Sequence, residues 1–170
     1  MDILREQGVS SSSSGGSYEV FLSFRYADVG KTFADHLHSA LCKGFRIFRY
    51  DENMERGKNF KSELQKVIKE SRMSIVVFSK GYASSSWCLD ELEIILQHKT
   101  PSGDHHVLPI FYDVDPSHVR TQMGSFKEAF ESYEEGEGEN GWKSRVGGWK
   151  AALREAADIA GMHLQNDANG

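Results

Sequence analysis

Short apolar runs alternate with amphipathic segments along most of this 170-residue chain, and that alternation most limits how it can fold. The apolar runs are rich in β-branched and aromatic residues, which is typical of buried strands. The predicted strands cover residues 18–24, 45–50, 73–79, 107–114 and 162–164. Between them apolar residues recur every three or four positions, which predicts helices over 31–43, 60–72, 84–96, 126–133 and 142–161. Strand–helix repeats of this kind predict a parallel sheet with helices on both faces.

Three local signals refine this pattern. Asp28 lies in the predicted loop 26–30 and is the candidate N-cap of the first helix. Pro109 falls inside the fourth predicted strand. Because proline has no N–H to donate to a ladder, it indicates a strand end or a bulge. Gly147 and Gly148 are predicted to weaken or kink the last helix.

The composition indicates one globular domain. Apolar residues make up 39% of the chain and charged residues 26%, which is enough apolar material for a core. The serine- and glycine-rich segment 1–17 is predicted to be a disordered leader, so the domain covers 18–164 and is followed by a tail at 165–170. The net charge of -5 and the dispersed basic residues argue against nucleic acid as a partner.

Several classes of protein are excluded by what the sequence lacks. Cys42 and Cys88, without a secretory signal, predict free thiols in a reduced intracellular compartment. No stretch reaches about 18 apolar residues, so no membrane span is predicted. The sequence has no GxGxxG, P-loop or GxSxG motif. His36 and His38 are two positions apart on a predicted helix and point to different faces, so no metal site is predicted.

The segment 84–96, SSSWCLDELEIIL, combines serines that can cap a helix with Trp87 and three acids. The helix dipole accounts for Asp90 and Glu93, whereas Glu91 sits beside Leu92, which is predicted to be buried. A carboxylate beside a tryptophan at a helix mouth is a candidate for stabilising a cationic transition state. In the alternative interpretation the acids are only solvated charges. Sites in parallel sheets lie at the carboxyl ends of strands, which here means loops 25–28, 53–58, 79–87 and 113–120.

Four segments together resemble one family. YEVFLSFR, FRYDENMERGK, SSSWCLDEL and LPIFYDVDPSHVRTQMGSF are similar, in order and spacing, to the plant Toll/interleukin-1 receptor (TIR) domain of intracellular immune receptors. The resemblance covers residues 18–164. It implies a flavodoxin-like α/β fold, with a five-stranded parallel sheet flanked by helices on both faces.

The resemblance also implies an activity. Active family members cleave NAD+ at the nicotinamide–ribose bond and release ADP-ribose-type signals, so NAD+ is the substrate and no cofactor is implied. The family's catalytic glutamate matches Glu91. The family's substrate-binding neighbours match Phe24, Arg25, Arg56, Gly57, Ser85 and Trp87.

The chemistry of the reaction suits these residue types. Nicotinamide leaves as a neutral ring and needs no acid, while positive charge develops on the ribose, as in glycoside hydrolysis. One fixed carboxylate can stabilise that charge. Arg25 or Arg56 suits a phosphate, and Trp87 suits a flat ring. Each also has a structural interpretation: the arginines as surface charges, Trp87 as a core residue and Ser85 as a helix cap.

Self-association is a further property that the resemblance implies. Family members contact one another through the first helix, where many carry a Ser-His pair, and the matching residues are Asp35 and His36. In the alternative interpretation both are ordinary exposed helix residues. The family's pocket is completed by a neighbouring domain, so the implied partners are other TIR domains and NAD+. The implied location is cytoplasmic, with the nucleus as a second compartment.

The chain departs from the family pattern after the first strand. Family members usually read Gly-Glu-Asp-Thr-Arg where residues 26–30 read Tyr-Ala-Asp-Val-Gly. Tyr26 is expected to narrow the pocket mouth. These changes favour a non-enzymatic TIR–TIR interaction module with a vestigial pocket, whereas Glu91 favours the enzyme. A response regulator or flavin carrier would share the fold, but FRYADVG is not a phosphate-binding loop.

Overall fold

A computed structural model of the protein describes residues 18–49, 59–99, 102–136 and 141–164. The predicted leader and tail lie outside the described residues, as do Arg56 and Gly57. Within the described ranges the chain alternates between strands and helices as the sequence predicts.

Five parallel strands form one sheet. They are β1 Val20–Ser23, β2 Ile47–Arg49, β3 Met73–Phe78, β4 His106–Tyr112 and β5 Met162–Leu164. Their order is β2-β1-β3-β4-β5, which confirms the predicted five-stranded, flavodoxin-like α/β fold. Because β2 and β3 lie on opposite sides of β1, the winding direction reverses between β1 and β3. A crevice suited to a ligand is expected where the direction reverses, at the carboxyl ends of those two strands.

Seven α-helices and one 3-10 helix connect the strands in the described ranges. They are α1 Tyr26–Val29, α2 Phe33–Leu41, α3 Phe60–Glu70, the 3-10 helix Tyr82–Ser84, α4 Ser86–His98, α5 Pro116–Thr121, α6 Ser125–Glu135 and α7 Trp142–Ala157. The helix predicted over 84–96 therefore starts two residues later. Its first serine belongs to the 3-10 helix, and Ser85 is its cap.

Alternate strand residues supply a separate core on each face of the sheet. Phe21 and Val76 pack into one cluster together with side chains of α3, α4, α6 and α7. Val20, Leu22 and Ile75 pack into the other cluster, with side chains of α1 and α2. The predicted placement of helices on both faces is thereby confirmed.

The prediction that Asp28 caps the first long helix is wrong. Residues Tyr26–Val29 form the short helix α1, and the residue that precedes α2 is Thr32. The Asp28 carboxylate instead accepts hydrogen bonds from the loop that follows β3. The hydrogen-bond partners of Asp28 lie about 50 positions away in the sequence. The residues around Asp28 therefore look the same as those around a helix cap, which explains the error.

Pro109 lies within β4, so the predicted strand end or bulge is wrong. It pairs with Val76 of β3, whereas pairing with β5 begins only at Ile110. The N and C=O of a strand residue point to the same side, and the Pro109 carbonyl lies against Gly161. The proline nitrogen therefore faces the side on which β5 has not yet begun, and no ladder hydrogen bond is lost there.

Gly147 and Gly148 lie inside the single 16-residue helix α7. Gly148 has a packing role, because a Cβ at this position would collide with the Glu93 carboxylate of α4. α7 lies close to α4 at this position, and the two glycines do not interrupt the helix.

His105 links the amino ends of β3 and β4 from a buried position. Its Nδ1–H donates to the Ser71 carbonyl at 2.8 Å, since a carbonyl can only accept. Nε2 is therefore the acceptor, and it takes the hydrogen of the fully buried Ser74 hydroxyl at 2.9 Å. Burial lowers the pKa of His105 from its ordinary value of 6.5; the bond to Ser71 opposes this, and His98 and His106 add to the lowering.

We expect His105 to make the protein less stable in acid. The unfolded chain takes up the proton before the folded chain does, so the free energy of unfolding is highest above about pH 6.5 and falls as the pH drops towards the folded pKa. Urea unfolding between about pH 8 and pH 5 measures this slope. His105→Gln should flatten it, whereas the exposed control His36→Gln should not. An equal slope in wild type and His105→Gln would contradict the assignment.

Candidate active site at the carboxyl end of the sheet

The candidate site lies where β1 and β3 end and α4 begins. Ser85 starts α4 by accepting a hydrogen bond from the backbone N–H of Cys88 at 3.3 Å. The proposed cap role of Ser85 is thus observed. Glu91 follows in the second turn of the helix, on the side that packs against β1.

Glu91 is buried, with 4% of its surface exposed. Its Oε2 accepts a hydrogen bond of 2.9 Å from the hydroxyl of Ser23, the last residue of β1. The interpretation of Glu91 as a solvated helix-start charge is therefore wrong. A carboxylate in an apolar surrounding interacts strongly with a nearby positive charge, because little water screens it.

Two residues of this site were not predicted from the sequence. The hydroxyls of Ser23 and Tyr82 lie 2.9 Å apart, and Tyr82 Oη donates to the Cys88 carbonyl at 3.0 Å. Both side chains are fully buried. Burial raises the pKa of Tyr82 well above its usual value, and Cys88 and Glu91 add to this. A serine inside the apolar run FLSF was a usable signal, whereas nothing local marks Tyr82.

Phe24 contributes to the site through its backbone. Its carbonyl accepts a hydrogen bond from the Cys88 thiol at 3.5 Å. Its side chain is buried with Val29 and Ala34 on the face covered by α1 and α2. The structure therefore places the predicted substrate-binding residue Phe24 beside the site and its ring in the core.

Arg25 and Asp28 form an ion pair just after the end of β1. Arg25 Nη1 lies 2.8 Å from Asp28 Oδ1, and the arginine side chain is 34% exposed. The other Asp28 oxygen accepts from the Ser79 hydroxyl at 2.5 Å and from the Gly81 N–H at 2.8 Å. A Cβ at position 81 would collide with the guanidinium group. Asp28 therefore joins α1 to the loop after β3 and pairs with Arg25 at the same time.

Asp28→Ala is expected to lower the free energy of unfolding by about 1–3 kcal/mol, because it leaves the Ser79 hydroxyl and the Gly81 N–H without their acceptor. Equilibrium urea unfolding measures the loss. The matched control is Asp158→Ala, which removes an exposed acid paired with Arg120 at 2.8 Å. An exposed pair contributes about 0–1 kcal/mol. Equal losses of unfolding free energy in the two variants would show that the hydrogen bonds of Asp28 do not stabilise the fold.

Trp87 lies at the rim of the site rather than in the core. Its surface is 44% exposed, and its ring meets the edge of Phe60 with centroids 5.3 Å apart. This exposure leaves part of the aromatic ring open to solvent at the start of α4.

Tyr26 and Gly30, two departures from the family pattern, are coupled in space. A Cβ at position 30 would lie 2.6 Å from Tyr26 Cγ. The ring of Tyr26 also contacts Phe24, with centroids 6.5 Å apart. A side chain at position 30 would therefore displace Tyr26, so the glycine makes room for the tyrosine.

Asp35 and His36, the predicted self-association residues, are not part of this site. They lie on α2, which packs on the opposite face of the sheet from α4. Asp35 Oδ1 pairs with Arg49 Nη1 of β2 at 2.7 Å, and its side chain is 51% exposed. His36 is exposed as well.

Asp90 points away from Glu91, towards α7. It pairs with Arg145 and accepts a hydrogen bond from Trp149 Nε1 at 3.0 Å. Neighbouring acids of one helix thus serve different purposes, because consecutive helical residues face different directions. Asp90 links α4 to α7, and Glu91 faces the end of β1.

Comparison with known proteins agrees with this fold. The TIR domain family matches residues 17–169. The chain is 52% identical over 152 residues to disease resistance protein RPV1 of Vitis rotundifolia, covering 89% of this chain and 10% of that protein. It is 51% identical over 156 residues to TMV resistance protein N of Nicotiana glutinosa, covering 89% of this chain and 13% of that protein. The chain thus spans only about a tenth of the length of these relatives.

One solved structure is similar to this chain over most of the length of both chains. The TIR domains of the activated Roq1 resistosome, which directly recognizes the pathogen effector XopQ, superpose with a TM-score of 0.75 at 47% identity. The match covers 91% of this chain and 92% of that one. The chain therefore belongs to the TIR domain family, and its relatives include plant disease resistance proteins. Among the helices in the described ranges, none has the length and apolar character needed to cross a bilayer.

Proposed function

We propose that this TIR domain is an NAD+ nucleosidase that cleaves the nicotinamide–ribose bond after self-association and thereby signals plant defence and cell death. The observation that carries the proposal is the buried carboxylate of Glu91, held by Ser23 at the carboxyl ends of β1 and β3. Its position matches the family's catalytic glutamate. NAD+ enters as the substrate, and no cofactor is proposed.

In the proposed reaction the bond between ribose C1′ and the nicotinamide nitrogen breaks. The electron pair stays on nitrogen, so nicotinamide leaves as a neutral ring and positive charge develops on the ribose. The Glu91 carboxylate stabilises that charge, and burial strengthens the interaction. Water then adds to C1′ and releases one proton, which gives ADP-ribose or a related product.

The remaining residues serve to bind NAD+. Arg25 is partly exposed at the mouth, and its ion pair with Asp28 leaves other N–H groups for a phosphate. Trp87 offers an exposed ring for stacking. Arg56 and Gly57 keep their proposed role in substrate binding, although they lie outside the described residues.

We also propose that assembly activates the domain, in the cytoplasm or the nucleus. The similar Roq1 domains belong to an activated resistosome. The exposed rim at Trp87 leaves one side of the site available to a neighbouring TIR domain, and α2 with Asp35 and His36 offers a second contact.

The test is NAD+ consumption and nicotinamide release measured over a range of protein concentrations, with and without a crowding agent. We expect the rate to rise more steeply than linearly, because the active species is an assembly. A strictly linear dependence would contradict activation by assembly. The absence of NAD+ turnover in a folded, self-associating protein would contradict the proposed nucleosidase activity.

That last outcome would favour the alternative, a non-enzymatic TIR–TIR interaction module with a vestigial pocket. The packing of Tyr26 against Phe24 and over Gly30 is the observation that favours it, since it changes the loop beside Arg25.

A further inference from the structure

We propose that Ser23 and Tyr82 are positioning residues that fix the orientation of the Glu91 carboxylate, an inference that rests on the proposed function of this site. The first observation is how isolated the three groups are from solvent. Ser23 and Tyr82 are fully buried and Glu91 is 4% exposed. Inside such a site the protein itself must orient polar groups, because bulk water does not reach them.

The three side chains form one chain of contacts between α4, β1 and the 3-10 helix. Glu91 Oε2 accepts from Ser23 at 2.9 Å, and Ser23 lies 2.9 Å from Tyr82 Oη. Tyr82 Oη then lies 3.0 Å from the Cys88 carbonyl in the first turn of α4. The chain thus leaves α4 at Glu91, passes through β1 and the 3-10 helix, and returns to the same helix at Cys88.

The arrangement directs the Ser23 proton towards the carboxylate. A carboxylate and a carbonyl can only accept, so each needs a hydrogen from a hydroxyl. Two hydroxyl hydrogens serve three contacts: the Tyr82 hydrogen is shared between the Cys88 carbonyl and the Ser23 oxygen, and the single Ser23 hydrogen goes to the Glu91 carboxylate, which has none of its own. A hydrogen bond to a charged group is stronger than one between neutral groups, and here it fixes one oxygen of Glu91.

The consequence for the reaction is that the carboxylate is oriented before NAD+ arrives. Stabilisation of a developing charge depends on groups that do not have to reorient during the step. Loss of the Ser23 hydroxyl should therefore reduce kcat and leave KM nearly unchanged, since Ser23 is behind Glu91 and is not exposed to the substrate.

Ser74→Ala provides a matched control. Ser74 is also a fully buried strand serine with a 2.9 Å hydrogen bond, but its partner is His105 at the amino end of the sheet. Ser23→Ala and Ser74→Ala should lower the Tm by a similar few degrees. Only Ser23→Ala should lower kcat, by about 10- to 100-fold, as expected for a lost hydrogen bond to a charged group. Ser23→Thr, which keeps the hydroxyl, should retain most of kcat.

A second readout does not depend on activity. The side-chain carboxyl ¹³C resonance of Glu91, assigned by its absence in Glu91→Ala, should shift in Ser23→Ala, shift less in Tyr82→Phe and stay in place in Ser74→Ala. A wild-type protein without NAD+ turnover would overturn the proposed function, and this resonance would still test the positioning role. An unshifted Glu91 resonance in Ser23→Ala, or equal losses of kcat in Ser23→Ala and Ser74→Ala, would overturn the inference. An unshifted Glu91 resonance in Tyr82→Phe would show that Tyr82 is not a positioning residue.

Discussion

Glu91→Gln is expected to abolish NAD+ cleavage while leaving the protein folded. Glutamine has nearly the same shape, and its carbonyl oxygen can still accept the hydrogen bond from Ser23. It lacks the negative charge that stabilises the positive ribose, so the rate should fall at least about 100-fold. The melting temperature should stay the same or rise, because a neutral amide is easier to bury than a carboxylate.

The matched control for this variant is Glu93→Gln. Glu93 lies on the same helix and is half-buried, and burial raises its pKa, with a further contribution from Asp90 that Arg145 and Lys61 oppose. It lies against Gly148 of α7 rather than in the crevice. Nicotinamide release at one fixed, high protein concentration compares the variants. Turnover that persists in Glu91→Gln, or that disappears equally in Glu93→Gln, would remove the proposed role from Glu91.

Trp149→Ala is expected to lower the free energy of unfolding by about 3–5 kcal/mol. Among the described residues Trp149 is the largest fully buried side chain, and it projects from α7 against α4 and α6. Its ring packs on Tyr133 with centroids 5.1 Å apart, Arg145 lies 4.9 Å over it, and Nε1 donates to Asp90 at 3.0 Å. Alanine would leave a cavity and remove a donor from a partly buried carboxylate at the same time.

Trp87→Ala is the control that shows whether the loss of stability is specific to Trp149 or follows from replacing any tryptophan. Trp87 is 44% exposed and has an edge contact with Phe60, so its replacement should cost only about 1 kcal/mol of stability. Guanidinium unfolding followed by circular dichroism measures both variants without relying on tryptophan fluorescence. A loss of stability in Trp149→Ala no larger than in Trp87→Ala would show that the contact between α4 and α7 does not hold the fold together.

The sequence by itself determined the architecture and pointed to Glu91 as the candidate residue of the site. Apolar runs such as MSIVVF can only be buried as strands between helices, and the repeat of strand and helix requires parallel pairing. Glu91 was singled out by its place beside Leu92, which is predicted to be buried, and by the family resemblance, and the structure shows it buried. The architecture follows from periodicity along the chain, which a single sequence displays directly.

Only the tertiary structure decided which side chains meet. Ser23 and Glu91 are 68 positions apart, and Asp28 and Ser79 are 51 apart. Their contacts depend on the order of the strands and on the register that brings the ends of β1 and β3 together. The packing of strands also decides that Pro109 can lie inside β4, because pairing with β5 begins only at Ile110. Local pattern fixes the face on which a residue lies, but its partner across space is set by how separate elements pack.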